Sequence, residues 1–296
     1  MLKLSLPVIG RGPNRLGRPY APSMRAALVT GAGRGLGLAI ARSLAGRGIA
    51  VVVSDVDGDA AARGATAIGT GARPLTLDVT DAGACATAAR EVAEREGSLD
   101  LWVNNAGVLH PGLAFDQDEA ERRQMLEVNA VGTFNGTIAA IEVMRRSGSG
   151  HVINVVSLAG LVAAPGEVAY SASKHAAIAF TLGTLIDLRR SGVKGIHLSA
   201  VCPGGIWTPM LHETIDDPEG AASFAAGMQS PDRVAEKVMA VVDRPRPLVS
   251  IPRWRGAYVR LYDTFPRLAL RLLPLALADA RRRQLRFKRK LERQAG

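Results

Sequence analysis

The apolar run Ala26-Ala27-Leu28-Val29 leads directly into Thr30-Gly31-Ala32-Gly33-Arg34-Gly35-Leu36-Gly37, and then into Leu38-Ala39-Ile40-Ala41-Arg42-Ser43-Leu44-Ala45. A short buried strand, a glycine-rich turn and a helix, in that order, leave few folds open. Glycines let the backbone approach a pyrophosphate closely. The helix N-terminus behind them offers unpaired N–H groups and the positive end of its dipole. The spacing is T-G-x-x-x-G-x-G rather than G-x-G-x-x-G. Within this turn Gly31, Arg34, Gly35, Leu36 and Gly37 are the expected dinucleotide contacts.

Downstream, strand-like runs alternate with helical stretches. Strands are expected at 26–30, 50–55, 73–77, 99–104, 151–156, 195–201 and 247–251. That alternation predicts α/β architecture, a doubly wound, Rossmann-type seven-stranded parallel sheet flanked by helices in one domain spanning 24–252. Asp55 ends the second strand, about 20 residues past the turn, where a carboxylate accepts hydrogen bonds from adenosine ribose hydroxyls. It would repel a 2′-phosphate, so NAD is expected over NADP. Arg34 is a contrary hint, because a basic residue in the turn could meet that phosphate.

A second constellation lies at Tyr170-Ser171-Ala172-Ser173-Lys174. On a helix, a phenol and an ammonium four residues apart share one face. An ammonium beside a phenol favours the phenolate and lowers the phenol pKa, which gives a proton carrier usable near neutral pH.

Other landmarks follow in order. Asn104-Asn105-Ala106-Gly107 comes after Leu101-Trp102-Val103, and Asn129 sits in Val128-Asn129-Ala130-Val131-Gly132. Ser157 closes Val152-Ile153-Asn154-Val155-Val156, and Pro203-Gly204-Gly205-Ile206-Trp207-Thr208 follows the sixth strand. Together these motifs resemble the classical short-chain dehydrogenase/reductase family over roughly residues 24 to 252. The resemblance implies Tyr170 as general acid/base and Ser157 as hydrogen-bond partner of the substrate oxygen. It implies Lys174 on the nicotinamide ribose and on Tyr170, and Asn129 holding a relay water. Asp78 and Val79 resemble the adenine-contacting pair, the Asp side chain having an ordinary helix N-cap as its plainer role. Asn104, Asn105, Ala106 and Gly107 resemble the cofactor wall and central-strand brace. Pro203, Gly204, Ile206 and Thr208 resemble the nicotinamide end.

Charge divides the chain unevenly. Residues 244–296 hold fifteen Lys/Arg against three Asp/Glu, and 1–25 hold five basic residues and no acid, so 26–243 carry net −7 within an overall +10. Residues 1–23, rich in Gly, Pro and Arg, are expected to be disordered, and Met24 is a candidate start. Residues 253–296 form a basic amphipathic extension. Its leucines (Leu268, Leu270, Leu272, Leu273, Leu275, Leu277) are interrupted by Arg271 and Pro274, short of a spanning helix. Trp254, Tyr258 and the arginines suit a helix on an anionic membrane interface. Packing on the body or on a second subunit of a homo-oligomer is the other reading. Nucleic acid is disfavoured, because no recognition module accompanies the charge.

Cys85 and Cys202 lie far apart, which argues for small buried side chains in a reducing, cytoplasmic setting and against a metal or disulfide. Loops past the strand ends (108–115, 158–168 and 205–228) offer Leu109, Leu113, Phe115, Leu158, Leu161, Val162, Trp207, Met210, Leu211, Phe224 and Met228, with few charges. They predict a lipophilic alcohol or ketone rather than a sugar, phosphate or carboxylate. His110 and His212 could reach that cleft. His151, His175 and His197 read as structural. The alternatives to a dehydrogenase are a non-catalytic dinucleotide-binding scaffold and an anionic-surface binder acting through the tail.

Overall fold

The structure, a computed structural model, describes residues 24–225 and 227–295. The 1–23 extension and the Leu268 side chain lie outside the described residues. The strands are β1 (Ala26–Val29), β2 (Ala50–Asp55), β3 (Ala72–Thr76), β4 (Leu101–Asn104), β5 (Gly150–Val155), β6 (Ile196–Pro203) and β7 (Leu248–Ile251). They form one parallel sheet in the order β3-β2-β1-β4-β5-β6-β7. Each expected strand lies within a few residues of its expected position. Buried apolar runs such as Leu101-Trp102-Val103 have no solvent-facing side, as a sheet covered on both faces requires.

Helices cover the two faces. α1 (Gly35–Ala45) and α8 (Pro231–Asp243) pack one side, burying Ile40, Leu44, Val234, Val238 and Val242 against Val29, Val53 and Val103. α8 is framed by the cap Ser230, which accepts from the Arg233 N–H at 3.3 Å, and by Pro231 at its first turn. On the other side α3 (Ala82–Glu96), α5 (Gly132–Ser147) and α6 (Val168–Arg190) pack over Leu28, Trp102, Val152 and Leu198. α2 (Gly58–Ile68) joins β2 to β3, and α4 (Glu119–Leu126) precedes a π-helical turn at Glu127–Val131.

The chain runs outward from β1 to β3, then returns to β4 and runs the other way, so strand order reverses between β1 and β4. A crevice opens there past the strand ends. A buried polar network braces the sheet centre. Trp102 Nε1 donates to Asn104 Oδ1 (2.7 Å), Asn104 Nδ2 donates to Asn154 Oδ1 (2.8 Å), and Asn154 Nδ2 donates to Thr181 Oγ1 (2.8 Å). Asn104 also donates to Thr137 on α5, so both helices are tied to the central strands. A satisfied network of this kind stabilises, whereas one broken member leaves a buried polar atom unpaired.

The basic extension is helical and returns to the body. α9 (Arg253–Thr264) follows β7, and α10 (Pro266–Ala295) runs through Pro274 without a break. Pro274 removes one backbone donor, and packing of the inner face outweighs that loss. Leu273, Ala276, Leu277, Ala280, Arg283, Gln284, Phe287 and Leu291 recur at helical spacing on that face. Ala280 and Gln284 are fully buried, and Gln284 Nε2 donates to the carbonyls of Ile215 (3.1 Å) and Asp217 (2.6 Å). Phe287 meets Trp207 and Phe224, and Lys288 pairs with Asp216 at 2.6 Å. No helix among the described residues is long and apolar enough to cross a membrane.

Candidate active site

The glycine turn follows β1. Gly31 and Gly35 have φ of 58° and 61°, where a side chain would be strained. A Cβ on Gly31 would sit 2.8 Å from Ala106 Cα, and one on Gly33 would sit 2.9 Å from Asp55 Oδ2. No side chain caps α1, so its first N–H groups face the crevice. Thr30 Oγ1 accepts the N–H groups of Asn105 and Ala106 (3.0 Å each), and Asn105 Nδ2 donates to the carbonyls of Thr30 and Gly31 (3.0 Å each). These bonds stitch β1 to β4 across the reversal.

Asp55 lies at the tip of β2. Its Oδ2 accepts the Gly33 N–H at 3.1 Å and its Oδ1 accepts the Asp57 N–H at 3.3 Å. Arg34 is swung to the opposite rim, its Nη1 2.5 Å from Glu213 Oε1. Glu213 belongs to α7 (Pro209–Glu213). Asp78 accepts from the N–H (2.9 Å) and hydroxyl (2.8 Å) of Thr80, while the cap of α3 is Asp81, which accepts from Ala84 N at 2.9 Å. The helix-cap role considered for Asp78 therefore belongs to Asp81.

A cavity of about 1270 Å³ runs from this cradle past Val79, Asn105, Ala106 and Gly107 to Ser157, Tyr170 and Lys174. Pro203, Gly204, Ile206 and Thr208 line the same space, as do Gly31, Arg34, Gly35, Leu36, Asp55 and Asp78. Two expected contacts stand behind the wall instead. Gly37 is packed so closely on Gly31 and Asn105 that any Cβ would collide, so its smallness lets the turn close. Asn129 is fully buried in the π-helical turn. Its Oδ1 accepts Val108 N (2.8 Å), and its Nδ2 donates to Val108 O (2.9 Å) and Ser173 Oγ (3.1 Å).

Tyr170 and Lys174 occupy successive turns of α6, with Lys174 Nζ 5.5 Å from the phenol ring centre. Gly107 separates that ammonium from Asn129, a Cβ there lying 3.4 Å and 2.9 Å from Nζ and Oδ1. Burial and then the Glu167 charge push the phenol above its ordinary value, and the Ser157 hydroxyl pulls it partly back. Burial also brings Lys174 down to about 8. Desolvation opposes charge on both partners. Ser157 Oγ accepts the Ala159 N–H at 3.1 Å.

Glu167 was not singled out in the sequence, though it lies one helical turn before Tyr170. It is 3% exposed, and its Oε1 accepts the N–H (3.1 Å) and hydroxyl (2.6 Å) of Ser223. Burial pushes its carboxyl up to about 7, against the pull of those two bonds. A pKa raised on folding stabilises most below the unfolded value near 4.5, and that contribution is lost as pH rises through about 7. Glu167→Gln keeps an acceptor for Ser223 and removes the titration. Relative to wild type it should gain stability on the order of 3 kcal/mol in going from about pH 4.5 to about pH 8, read by urea unfolding. An identical difference at both pH values would contradict a buried, titrating Glu167.

Of the apolar loop residues, Leu109, Leu158, Val162, Met210 and Leu211 line the cavity. Leu113 and Phe115 are exposed, and Leu161, Trp207, Phe224 and Met228 pack elsewhere, the last three beside Phe287. α9 and α10 add Trp254, Tyr258, Val259, Tyr262, Leu273, Ala276 and Leu277 to the wall, with Arg255 and Arg283. His110 faces Gln124 at 2.8 Å and the His212 ring lies tilted against Trp207 with ring centres 4.3 Å apart, and neither lines the cavity. Cys85 and Cys202 are both buried, as expected.

Comparison with known proteins agrees with this geometry. The family model described as short chain dehydrogenase matches residues 25–219. 1-Deoxy-11-beta-hydroxypentalenate dehydrogenase of Streptomyces exfoliatus is 38% identical over 203 residues, covering 67% of this chain and 72% of that protein. Cyclopentanol dehydrogenase of Comamonas sp. is 36% identical over 200 residues, covering 67% and 79%. A short-chain dehydrogenase/reductase from Burkholderia phymatum, solved in complex with NAD, superposes with a TM-score of 0.75 at 26% identity, over 83% of this chain and 95% of that one. This chain belongs to the short-chain dehydrogenase/reductase family and is an oxidoreductase of that family.

Proposed function

We propose that the chain is an NAD-dependent dehydrogenase of a lipophilic cyclic secondary alcohol, also able to run as the ketoreductase. The observation that carries this reading is one continuous cavity with the glycine cradle and Asp55 at one end and Tyr170, Ser157 and Lys174 at the other. The names of the relatives, two dehydrogenases of cyclic alcohols, support the substrate class. When bound, the nicotinamide supplies the hydride acceptor or donor.

The chain's own residues manage the proton and orient the substrate. Tyr170 takes the hydroxyl proton in oxidation and returns it in reduction, and the neutral phenol that burial favours is the form that protonates a carbonyl oxygen. Ser157 holds the substrate oxygen as negative charge develops there. Lys174 steadies the phenolate and the cofactor ribose. Asn129 fixes the Val108 and Ser173 backing of that end and serves the proton relay.

Asp55 favours NAD. A carboxylate about 4 Å from a 2′-phosphate costs on the order of 1–4 kcal/mol. Arg34 is drawn toward Glu213, though an exposed pair of that kind is worth at most about 1 kcal/mol. Measured on one alcohol, kcat/KM with NAD should exceed that with NADP by about 10²-fold. A preference for NADP would show that Arg34 leaves Glu213 and outweighs Asp55.

The outer face of α9 supports membrane contact as a second property. Leu261 and Phe265 are exposed four residues apart, Leu270 and Leu275 are exposed on α10, and Trp254 and Tyr258, half exposed or more, stand where the cavity meets solvent. With the surrounding arginines, this is the composition of an interfacial helix on anionic lipid. Exposed Leu126, Ile138 and Ile186 on α4, α5 and α6 support self-association.

A further inference from the structure

The apolar loops suggest a neutral substrate, but the tail brings two guanidinium groups to the cavity. Arg255, in the first turn of α9, and Arg283, on α10, both line it. Arg283 has a carboxylate of its own, with Nε 2.8 Å from Asp279 Oδ2 one turn away. Arg255 has no ion pair among the described residues. Its Nη2 donates to the Gly227 carbonyl at 3.1 Å, while its buried Nε has no hydrogen-bond partner among the described residues. The Trp254 ring lies 5.4 Å from the guanidinium carbon and steadies one side of the group.

The position of Arg255 matters as much as its charge. A Cβ on Gly204 would stand 2.7 Å from Arg255 Nη1 and 3.4 Å from Leu158 Cδ1. The guanidinium therefore rests against the ends of the strands that lead to Ser157 and Pro203. The cofactor's pyrophosphate is expected at Gly31 to Gly37, on the turn after β1. Of the cavity's acids, Asp55 ends β2, Asp78 follows β3, Glu127 opens the π-helical turn, and Glu167 is occupied by Ser223. Partial burial and the neighbouring Arg283 both disfavour the Arg255 cation, a strain that an incoming anion relieves.

We infer that Arg255, assisted by Arg283, receives a carboxylate on the substrate, so that the preferred substrate is a lipophilic cyclic hydroxy acid rather than a neutral alcohol. The inference rests on the dehydrogenase reading and narrows it. The guanidinium, a rigid planar fork of N–H donors at the cavity wall, suits recognition of a planar carboxylate.

The test compares a hydroxycyclohexanecarboxylate with its methyl ester, using NAD and the full chain. Wild type should favour the acid in kcat/KM by about 10-fold or more. Arg255→Met should raise KM for the acid on the order of 10²-fold and bring the acid-to-ester ratio near unity, with Arg255→Lys in between. A wild type indifferent to the charge, or a variant that slows acid and ester equally, would overturn the inference and leave the dehydrogenase reading standing. Calorimetric titration of cyclohexanecarboxylate into the NAD-loaded protein gives a readout without turnover. Saturable binding that is weakened by Arg255→Met supports the site even if no alcohol is oxidised, an outcome that would sink the dehydrogenase reading instead. No binding, or binding equalled by inorganic phosphate, would contradict a carboxylate site.

Discussion

Tyr170→Phe should keep the fold and the cofactor affinity and lose turnover by a factor on the order of 10² or more, because only the proton-transfer group disappears. The half-buried phenol stands at the inner end of the cavity, and the ring left behind fills the same space. Unfolding curves and cofactor titration should therefore match wild type while kcat collapses. Activity within a few-fold of wild type would remove Tyr170 from the chemistry. Lys174 would then be a buried cation with no assigned task.

Removing α9 and α10 by truncation after Ile251 should have the second largest effect. The sheet, the glycine cradle and Asp55 are complete without these helices, so cofactor binding should change by no more than a few-fold. The substrate end loses Tyr258, Val259, Leu273 and Leu277 from its wall, and Phe224 and Ile215 lose the cover of Phe287 and Leu291. Each such apolar contact is worth about 1–3 kcal/mol in discrimination, so kcat/KM should fall on the order of 10²-fold or more, mainly through KM. The same variant reports on the outer face. Full-length protein should sediment with anionic vesicles at low salt, each basic residue near the surface contributing about 1 kcal/mol, and the truncated chain should not. Unchanged kcat/KM in the truncated chain would deny these helices a place in the substrate site. Absence of vesicle binding by the full chain would end the membrane reading alone.

Much of the fold was legible because its determinants are local. Apolar runs such as Ala26-Ala27-Leu28-Val29 have the length and continuity of doubly covered strands, and the glycines after them need conformations only glycine adopts readily. The cluster of Ser157, Tyr170 and Lys174 was legible from order and spacing. The environment of these groups was not. A helical spacing of four residues places Lys174 beside Tyr170, but only the packed structure shows that burial opposes both charges and that Glu167 adds to the penalty on the phenolate. Motif membership placed Gly37 in the turn and Asn129 on the relay, but not the packing of Gly37 on Gly31 and Asn105 or the bonds of Asn129 to Val108 and Ser173. Asp78 was weighed as a helix cap, and the turn geometry gives that role to Asp81.

The tail was the least legible segment. Its charge suggested a surface element, and Arg271 and Pro274 broke the apolar pattern when it was viewed as a linear run. Viewed at helical spacing, Leu273, Leu277, Ala280, Gln284, Phe287 and Leu291 form an inner face, but the surface that receives them comes from residues 207–224, distant in sequence. The two arginines in the cavity could not be placed for the same reason. Local patterns specify elements, and long-range packing specifies what a pocket contains.

Hydride transfer can be followed directly with cyclic secondary alcohols, neutral and carboxylated, that carry deuterium at the carbinol carbon. After incubation with the protein and NAD, the recovered reduced cofactor should contain that deuterium, with the corresponding ketone as co-product and with almost none formed by Tyr170→Phe. If no alcohol in such a panel labels the cofactor, although the protein binds NAD, the chain is a dinucleotide-binding scaffold and not a dehydrogenase.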